Sequence, residues 1–248
     1  MTKARRHILI TRPKEDAAVL AADLQKRGFT PLIAPMLSIK PITDAELVTR
    51  GIQGVLFTSA NGVRAFAARS DRRSVTVWCV GAATAATARE AGFHDIRTAG
   101  GNVKELAKLV IDNVKPGDGA LLHAAGSTVA GDLAGLLSKA GLTVVRATLY
   151  EAVPATALPE AAAEALATGT VRAVLFFSPR TADSFVRLLE EAGLADACRG
   201  VDAVCLSEAV AETARHLRWA KVVTSEQPNQ PALLAASDLA VNRHKGAP

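Results

Sequence analysis

Hydrophobic residues along the chain fall into short apolar runs that alternate with longer stretches of helical spacing. The runs at 7–11 and 120–123 are each followed by alanine and leucine positions three or four residues apart, as in an amphipathic helix. Both helical stretches end at a glycine, Gly28 and Gly141, where a chain can leave a helix in the left-handed conformation. Further strand-like runs lie at 55–58, 75–80, 95–98, 173–177, 202–206 and 221–224. The pattern predicts roughly ten short strands alternating with helices.

Two extended segments interrupt this alternation. Residues 36–42, MLSIKPI, and residues 149–159, LYEAVPATALP, contain prolines, which break helices and cannot donate a hydrogen bond to a sheet. Each follows the second predicted strand of its half of the chain. We interpret both segments as connectors.

The chain contains two copies of one plan. Residues 24–41 (LQKRGFTPLIAPMLSIKP) align without a gap with residues 137–154 (LSKAGLTVVRATLYEAVP), and residues 55–66 (VLFTSANGVRAF) align with residues 174–185 (VLFFSPRTADSF). A third block pairs VTVWCVGAATAATAR with VDAVCLSEAVAETAR. The blocks keep their order and only the loops grow, which indicates an internal duplication.

Strands that alternate with helices are typical of parallel sheets covered by helices on both faces. Five strands per copy predict two small, doubly wound α/β domains of similar size. In such sheets, ligands bind beyond the carboxyl ends of the strands, because loops and helix N-termini gather there with free N–H donors. The residues that directly follow each strand are therefore candidates for a binding site.

The composition is that of a folded globular protein, with 49% hydrophobic and 21% charged residues. No run of about 18 apolar residues predicts a transmembrane helix, and the first strand begins without a signal-peptide stretch, so we expect a cytoplasmic protein with no membrane association. The net charge of +5 favours anionic ligands. Because aromatic residues are only 4% of the chain and the basic residues are dispersed, we expect no nucleic-acid partner.

Metal and cofactor signatures are missing from the sequence. The three cysteines lack CxxC spacing and the five histidines form no HxxxH pair, which predicts buried structural thiols and no metal site. The phosphate-loop, dinucleotide-binding and serine-hydrolase signatures are also absent, which disfavours those three classes of enzyme.

The predicted strand ends are rich in glycine and in small hydroxyl residues. Small side chains let a bulky ligand approach the backbone, and amide N–H groups at helix starts can hold carboxylates or phosphates. The alternative is that hydroxyl residues such as Ser59, Thr84 and Ser178 only cap their own helices. The candidate ligand-binding residues are Arg12, Thr58, Ser59, Ala60, Asn61, Gly81, Thr84, Ser178, Pro179, Arg180 and Ser207.

For two side chains in these regions, Arg12 and Tyr150, the sequence is compatible with two roles each. Arg12 follows the first strand and precedes Pro13, a residue that suits the first position of a helix, so the guanidinium either binds an anion or lies on the surface. Tyr150, the only tyrosine, lies in the second connector. Its phenol either packs at a hinge or donates a proton within a cleft.

Taken together, these motifs resemble the uroporphyrinogen-III synthase family. The resemblance extends over nearly the whole chain and rests on the order and spacing of several short motifs. They are ITRP at 10–13, FTSANGV at 57–63, VGAATA at 80–85, KELAKLV at 104–110, LLSKAGLTVVRATLYEAVP, LFFSPRTADSF and EQPNQPALLAA.

The resemblance implies two α/β domains joined by a two-stranded linker, with the chain crossing between them twice. One domain would contain residues 1–35 and 155–248, the other residues 43–146, with linkers at 36–42 and 147–154. It also implies that the serine junctions at Ser59 and Ser178 lie in different domains and face one another.

The activity implied by the resemblance is closure of hydroxymethylbilane, a linear tetrapyrrole polycarboxylate, to uroporphyrinogen III in haem biosynthesis. The last pyrrole ring is inverted, water is lost, and no cofactor or metal is used. Tyr150 would assist loss of the hydroxyl, and Thr58, Ser59, Thr84 and Ser178 would bind substrate carboxylates. We expect a monomer, and the pathway leaves room for a transient handover of substrate from the preceding enzyme.

The sequence departs from the family pattern in two loops. Ser207 stands where the family often has glycine, and Val210 stands where it often has threonine. The segment HAAGST at 123–128 lacks an arginine often found at the equivalent strand end. The alternatives are therefore a two-domain protein that binds an anionic ligand without catalysis, or an inactive paralogue. A nucleotide-using enzyme is a further alternative, which nucleotide-dependent thermal stabilisation would reveal.

Overall fold

The computed structural model describes residues 7–129 and 131–242, with side chains described up to residue 237. The strands are β1 (His7–Ile10), β2 (Thr30–Ile33), β3 (Leu37–Pro41), β4 (Ile52–Phe57), β5 (Thr76–Cys79), β6 (Ile96–Thr98), β7 (Ala120–Gly126), β8 (Val144–Pro154), β9 (Val171–Phe176), β10 (Asp202–Cys205) and β11 (Lys221–Thr224). The helices are α1 (Lys14–Lys26), α2 (Ala60–Ala67), α3 (Ala82–Glu90), α4 (Val103–Ile111), α5 (Leu133–Lys139), α6 (Glu160–Ala167), α7 (Pro179–Glu191), α8 (Glu208–Ala214) and α9 (Gln230–Asn242), with a 3₁₀ helix at Ala195–Gly200.

The chain divides into two compact units. The first unit comprises Met1–Ser38 and Val153–Pro248, and the second comprises Ile39–Ala152. The chain passes from one unit to the other within β3 and again within β8. The domain and linker limits given above stay a prediction, and residues 1–6 and 243–248 of the predicted first domain lie outside the described residues.

Each unit is built on one sheet, and each sheet combines strands from both sequence copies. The first unit has the strand order β11-β10-β9-β1-β2, with parallel pairing throughout. The second unit has the order β3-β8-β7-β4-β5-β6, in which the strands from β8 to β6 pair in parallel. The repeat by itself predicted five strands per copy in separate sheets, which is wrong. The first two strands of each copy instead pair with the last three strands of the other.

The two proline-containing connectors form strands. The Ile42 N–H donates to the Leu149 carbonyl and the Ala155 N–H donates to the Met36 carbonyl, so the paired positions run in opposite directions. β3 therefore lies antiparallel to β8 at the edge of the second sheet and brings it to six strands. Proline is tolerated in such edge strands, where its missing N–H does not break a ladder.

Helices cover both faces of each sheet, which confirms the doubly wound α/β class. In β9, Val174 and Phe176 pack in the core under α6, α7 and α8, whereas Ala173 and Leu175 pack in the core under α1 and α9. In the second unit, α2 and α3 cover one face and α4 and α5 the other. Because both faces are buried, the central strands are apolar at consecutive positions instead of alternating with polar residues. None of the helices in the described part of the chain is both long enough and apolar enough to span a membrane.

Gly28 and Gly141 end their helices as the sequence predicts. Both have positive φ angles, +82° and +78°. The Gly28 N–H donates to the Gln25 carbonyl and the following N–H, of Phe29, donates to the Leu24 carbonyl; the same two bonds recur after α5. This double hydrogen bond is the Schellman motif, which satisfies the last carbonyls of the helix.

Candidate functional site

Each sheet contains a topological switch point, where two neighbouring central strands lead in opposite directions. In the second unit, β4 continues through α2 to β5 on one side, whereas β7 continues through α5 to β8 on the other. The connections diverge there, so the carboxyl ends of β4 and β7 border a crevice, which is where open α/β sheets bind ligands. In the first unit the corresponding pair is β1 and β9.

A hydrogen bond between Ser59 and Tyr150 lies at the switch point of the second unit. Ser59 follows β4 and is the N-cap of α2, where its Oγ accepts the Gly62 N–H at 3.1 Å. The same Oγ lies 2.8 Å from the phenolic oxygen of Tyr150 on β8. A Ser59 hydroxyl that donates to Tyr150 leaves the phenol O–H free to donate to a ligand. Ser59 therefore caps its helix, which is the local role predicted as an alternative, and it also contacts the tyrosine. Its role in ligand binding stays a prediction.

Gly126 makes room for the tyrosine ring. A β-carbon at this position would lie 2.7 Å from Cε2 and 2.8 Å from Cζ of Tyr150, closer than carbon atoms approach without a shift. The pairing of β7 with β8 slips between Ala125 and Gly126, and the Ser127 N–H donates to the Tyr150 carbonyl at 2.9 Å. The irregularity at the end of β7 thus fixes the backbone of Tyr150 while the missing side chain admits its ring. The tyrosine is 8% exposed.

A second side-chain hydrogen bond joins Thr58 to His123, 3.1 Å from Oγ1 to Nε2. His123 lies on β7 and is buried, at 3% exposure. Burial lowers the pKa of His123 from 6.5 to about 4, with a smaller contribution from the positive charge of Arg146. The imidazole is therefore neutral at physiological pH and makes this bond without a buried charge.

Arg146 secures the end of β7 from the neighbouring strand. It pairs with His123 in the register of β7 and β8, and its guanidinium donates to the carbonyls of Gly126 at 2.6 Å and Ser127 at 2.9 Å. The arginine thereby holds the segment that lies against the Tyr150 ring.

Acidification is expected to destabilise the protein through His123. Between pH 6.5 and about 4 the unfolded histidine binds a proton that the folded one does not, so the free energy of unfolding falls as the pH falls through this window. Between pH 7 and pH 5 the loss from this group is about 2 kcal/mol. Urea denaturation at the two pH values measures it. A His123→Gln variant should lack this part of the pH dependence, and an unchanged difference would show that another group is responsible.

The other predicted residues of the second unit lie along the same edge of the sheet. Asn61 is in the first turn of α2, where its Oδ1 accepts a hydrogen bond from Arg64 at 2.7 Å, and Ala60 is the first residue of that helix. Gly81 is the N-cap of α3, one strand further along, and Thr84 lies in the first turn of α3 with 5% exposure. The structure thus brings Thr58 and Ser59 together with Tyr150, and places Gly81 and Thr84 beyond them.

Arg12 lies at the switch point of the first unit. Its guanidinium carbon is 4.5 Å from the centre of the Phe177 ring, and its nitrogens lie 3.3 Å from Gln230 Oε1 and 3.5 Å from Asp16 Oδ2. Pro13 precedes the helix as its N-cap instead of occupying the first helical position. Arg12 is therefore a partly covered residue at the predicted strand end, with cation–π and ionic contacts of its own.

Ser178 forms a capping box at the start of α7. Its Oγ accepts the Thr181 N–H at 3.2 Å, and the Thr181 hydroxyl accepts the Ser178 N–H at 3.3 Å and donates to the Ser178 carbonyl at 2.8 Å. Pro179 is the first helical residue, and Pro179 and Arg180 are exposed. The local role predicted as an alternative for this serine is thus present in the structure.

The loop that departs from the family pattern keeps its helix start. Ser207 is the N-cap of α8, but its side chain makes no capping hydrogen bond. Val210 is 1% exposed and packs in the core of the first unit. Val210, which stands where the family often has threonine, is therefore a packing residue of the core.

His123 and Arg146 belong to the site but are not among the predicted residues. The sequence pattern ends the strand at His123, whereas β7 runs to Gly126 because Ala124 and Ala125 continue it, each with 1% exposure. The signal for His123 in the sequence was a histidine within an apolar run that predicts a strand. The structure places this strand beside the one that leads to Thr58.

The cysteines are buried, as predicted. Burial raises the pKa of Cys79, Cys198 and Cys205 to about 12, which leaves each as an unreactive thiol at neutral pH. Among the described side chains, in residues 7–129 and 131–237, no three His, Cys, Asp or Glu residues are grouped as a metal site would require.

Comparison with known proteins identifies a family, curated relatives and solved structures that this chain resembles. The sequence model of the family described as Uroporphyrinogen-III synthase HemD matches residues 18–235. A curated relative from Chlorobaculum parvum (strain DSM 263 / NCIMB 8327), named uroporphyrinogen-III synthase, is 26% identical over 209 residues, which cover 76% of this chain and 81% of the relative.

Two solved structures share the fold. The uroporphyrinogen-III synthetase of Helicobacter pylori 26695 has a TM-score of 0.64 at 15% identity, over 96% of this chain and 99% of that chain. A mutant uroporphyrinogen III synthase from the extremely thermophilic bacterium Thermus thermophilus has a TM-score of 0.54 at 20% identity, over 96% of this chain and 99% of that chain. The fold agrees with both, and the family match extends over most of the sequence. The chain belongs to the uroporphyrinogen-III synthase family.

Proposed function

We propose that this protein is an active uroporphyrinogen-III synthase. It would close hydroxymethylbilane, a linear tetrapyrrole polycarboxylate, into uroporphyrinogen III with inversion of the last pyrrole ring and loss of one water. The observation that carries the proposal is the Ser59–Tyr150 hydrogen bond at the switch point of the second unit, in a chain of this family.

In the proposed reaction, Tyr150 is the proton donor to the departing hydroxyl group. The Gly62 N–H donates to Ser59 Oγ, and the Ser59 hydroxyl would donate to the phenolic oxygen 2.8 Å away. The phenol O–H would then be left to donate to the substrate. Protonation lets the hydroxyl leave as water, while the electron-rich pyrrole supplies the electrons. Ring closure leaves a surplus proton on the pyrrole system, and its loss restores the phenol. The net reaction is therefore ring closure with the release of one water molecule.

Positioning contributes the rest of the proposed catalysis. The flexible chain must be held so that the inverted closure is faster than simple closure, and oriented donors can supply this without a strong acid or base. In the second unit, the Thr58 and Thr84 hydroxyls, with the backbone N–H groups at Ser59, Ala60, Asn61 and Gly81, would bind substrate carboxylates. In the first unit this role would fall to Arg12, Ser207 and the Ser178–Arg180 turn.

The proposal extends to the organisation of the protein. The two units would act as its domains, residues 1–35 with 155–248 and residues 43–146, joined by linkers at 36–42 and 147–154. A monomeric state, a cytoplasmic location and transient handover of the substrate from the preceding pathway enzyme belong to the same proposal.

A coupled assay tests the proposed function. Hydroxymethylbilane is generated in place by the preceding enzymatic step, the products are oxidised, and uroporphyrins I and III are separated. We expect a clear excess of type III over a control without this protein, because simple closure gives only type I. If the folded protein, checked by circular dichroism, leaves only type I, the synthase proposal is wrong.

A further inference from the structure

His123 is a buried polar residue bonded to Thr58 at the candidate site, and the proposed function gives it no role. It lies on β7 opposite Leu56 of β4, two residues before Thr58. Its Nε2 reaches the Thr58 hydroxyl at 3.1 Å, and the histidine is only 3% exposed. Nearby, the Ser59 hydroxyl is bonded to Tyr150. Two consecutive hydroxyl residues at this strand end are thus each held by a partner from β7 or β8.

A buried partner restricts the direction in which a threonine hydroxyl can bond. Thr58 is partly exposed and follows the carboxyl end of β4, where open α/β sheets bind their ligands. If the imidazole carries its proton on Nε2, it donates to Thr58 Oγ1, and the threonine O–H is left to donate elsewhere. That arrangement suits a carboxylate, which only accepts hydrogen bonds.

Burial keeps the imidazole of His123 in its neutral form, with a smaller contribution from a neighbouring charge. Arg146, opposite His123 on β8, is a cation whose guanidinium is anchored on Gly126 and Ser127. Burial is the main cause of the low pKa of His123, and repulsion between a protonated ring and Arg146 lowers the pKa further. The ring is therefore uncharged at neutral pH, and with its proton on Nε2 it donates to Thr58 without placing a charge in the interior.

We propose that His123 is a positioning residue for the substrate. Its Nε2–H fixes the Thr58 hydroxyl in the orientation that donates to one carboxylate of the tetrapyrrole. The inference rests on the proposed function, because the carboxylate belongs to the substrate named there. It adds a buried residue of β7 to the strand-end residues that bind the substrate directly.

Four variants test the inference in the full-length protein. His123→Leu removes the ring donor and Thr58→Val removes the hydroxyl. We expect each to raise KM about tenfold with kcat within about twofold, because a contact to a remote carboxylate is made equally in the ground state and the transition state. The double variant should be no worse than either single one, since both act through one hydroxyl. His123→Gln, which restores an N–H donor, should recover most of the loss.

Binding of uroporphyrin III, measured by isothermal titration calorimetry, provides a readout that does not need turnover. The same variants should weaken its binding about tenfold and without additivity. If the wild type makes no type III isomer but shows this binding pattern, the proposed function fails and the role of His123 in carboxylate binding stands. If neither turnover nor binding is seen in the wild type, both proposals are wrong.

Thr76→Val is the matched control. Thr76 belongs to the same unit and donates to Asp95 Oδ2 at 2.7 Å, at the opposite end of the neighbouring strand β5. We expect KM and uroporphyrin affinity within about twofold of the wild type. A His123→Leu protein that loses melting temperature but keeps wild-type KM and affinity would make His123 purely structural, and additive losses in the double variant would equally overturn the inference.

Discussion

Tyr150→Phe is expected to lower kcat for formation of uroporphyrinogen III about 100-fold, the lower end of the range for a lost general acid. The phenylalanine ring still fits over Gly126, so packing is retained, and only the hydroxyl that bonds Ser59 at 2.8 Å is lost. KM should change little, because the phenol acts on the leaving hydroxyl and not on the carboxylates. Steady-state rates of type III formation in the coupled assay measure the effect.

A pair of helix-cap variants separates orientation of the tyrosine from helix stability. Ser59→Gly removes the partner of Tyr150 and should lower kcat about tenfold, while glycine remains a tolerable N-cap. Asn102→Gly makes the matched change at α4 of the same unit, where Asn102 accepts the Glu105 N–H at 3.0 Å. Its kcat should stay close to the wild-type value. A Tyr150→Phe enzyme within about twofold of the wild type would rule out the phenol as proton donor.

Arg172→Met is expected to lower the free energy of unfolding of the first unit by about 3 to 5 kcal/mol. Arg172 on β9 and Asp202 on β10 lie 3.1 Å apart, with side chains 6% and 1% exposed. Removing the guanidinium takes away the charge that neutralises a carboxylate in the interior, and the desolvated carboxylate then has no compensating Coulomb attraction from Arg172. Urea denaturation measures the change. Trp219 lies in the first unit and Trp78 in the second, so fluorescence in a Trp78→Phe background reports the first unit.

Two comparisons test whether burial of the Arg172–Asp202 pair causes the expected loss of stability. Arg199→Met breaks the exposed pair with Asp196, 2.8 Å apart, and should cost no more than about 1 kcal/mol. Replacing both buried partners, Arg172→Met with Asp202→Leu, should recover much of the loss, because neither charge then remains in the interior. A loss below about 1 kcal/mol for Arg172→Met alone would mean that water or another group solvates Asp202.

Strand positions could be predicted because buried parallel strands are continuous apolar runs. Residues 221–224 and the run at 202–206 correspond closely to β11 and β10. Strand ends were less certain where small residues extend a run, as at the alanines before Gly126. The pattern of residues predicted that the proline connectors are extended, whereas their pairing was expected only from the family resemblance. A sequence pattern does not say which backbone will accept the hydrogen bonds.

The candidate site could be predicted as a set of strand ends and not as a set of contacts. Ser59 and Tyr150 were both named from the sequence, yet the hydrogen bond between them joins residues 91 positions apart. The Thr58–His123 bond spans 65 positions, and a single histidine in an apolar run carries no spacing signal that indicates its partner. Arg146 is exposed and lies within the second copy of the repeat, with no local feature that predicts its contact with Gly126.

The sequence by itself determined the alternation of strands and helices, the duplication, and the helix ends at Gly28 and Gly141, because these depend on apolar spacing and on local backbone conformation. The family resemblance implied that each domain mixes the two copies. Only the tertiary structure decided the strand order within each sheet, and that Thr58 and Ser59 meet His123 and Tyr150 at one switch point. Strand pairing depends on which distant surfaces bury each other, a free-energy balance over the whole chain that no short segment contains.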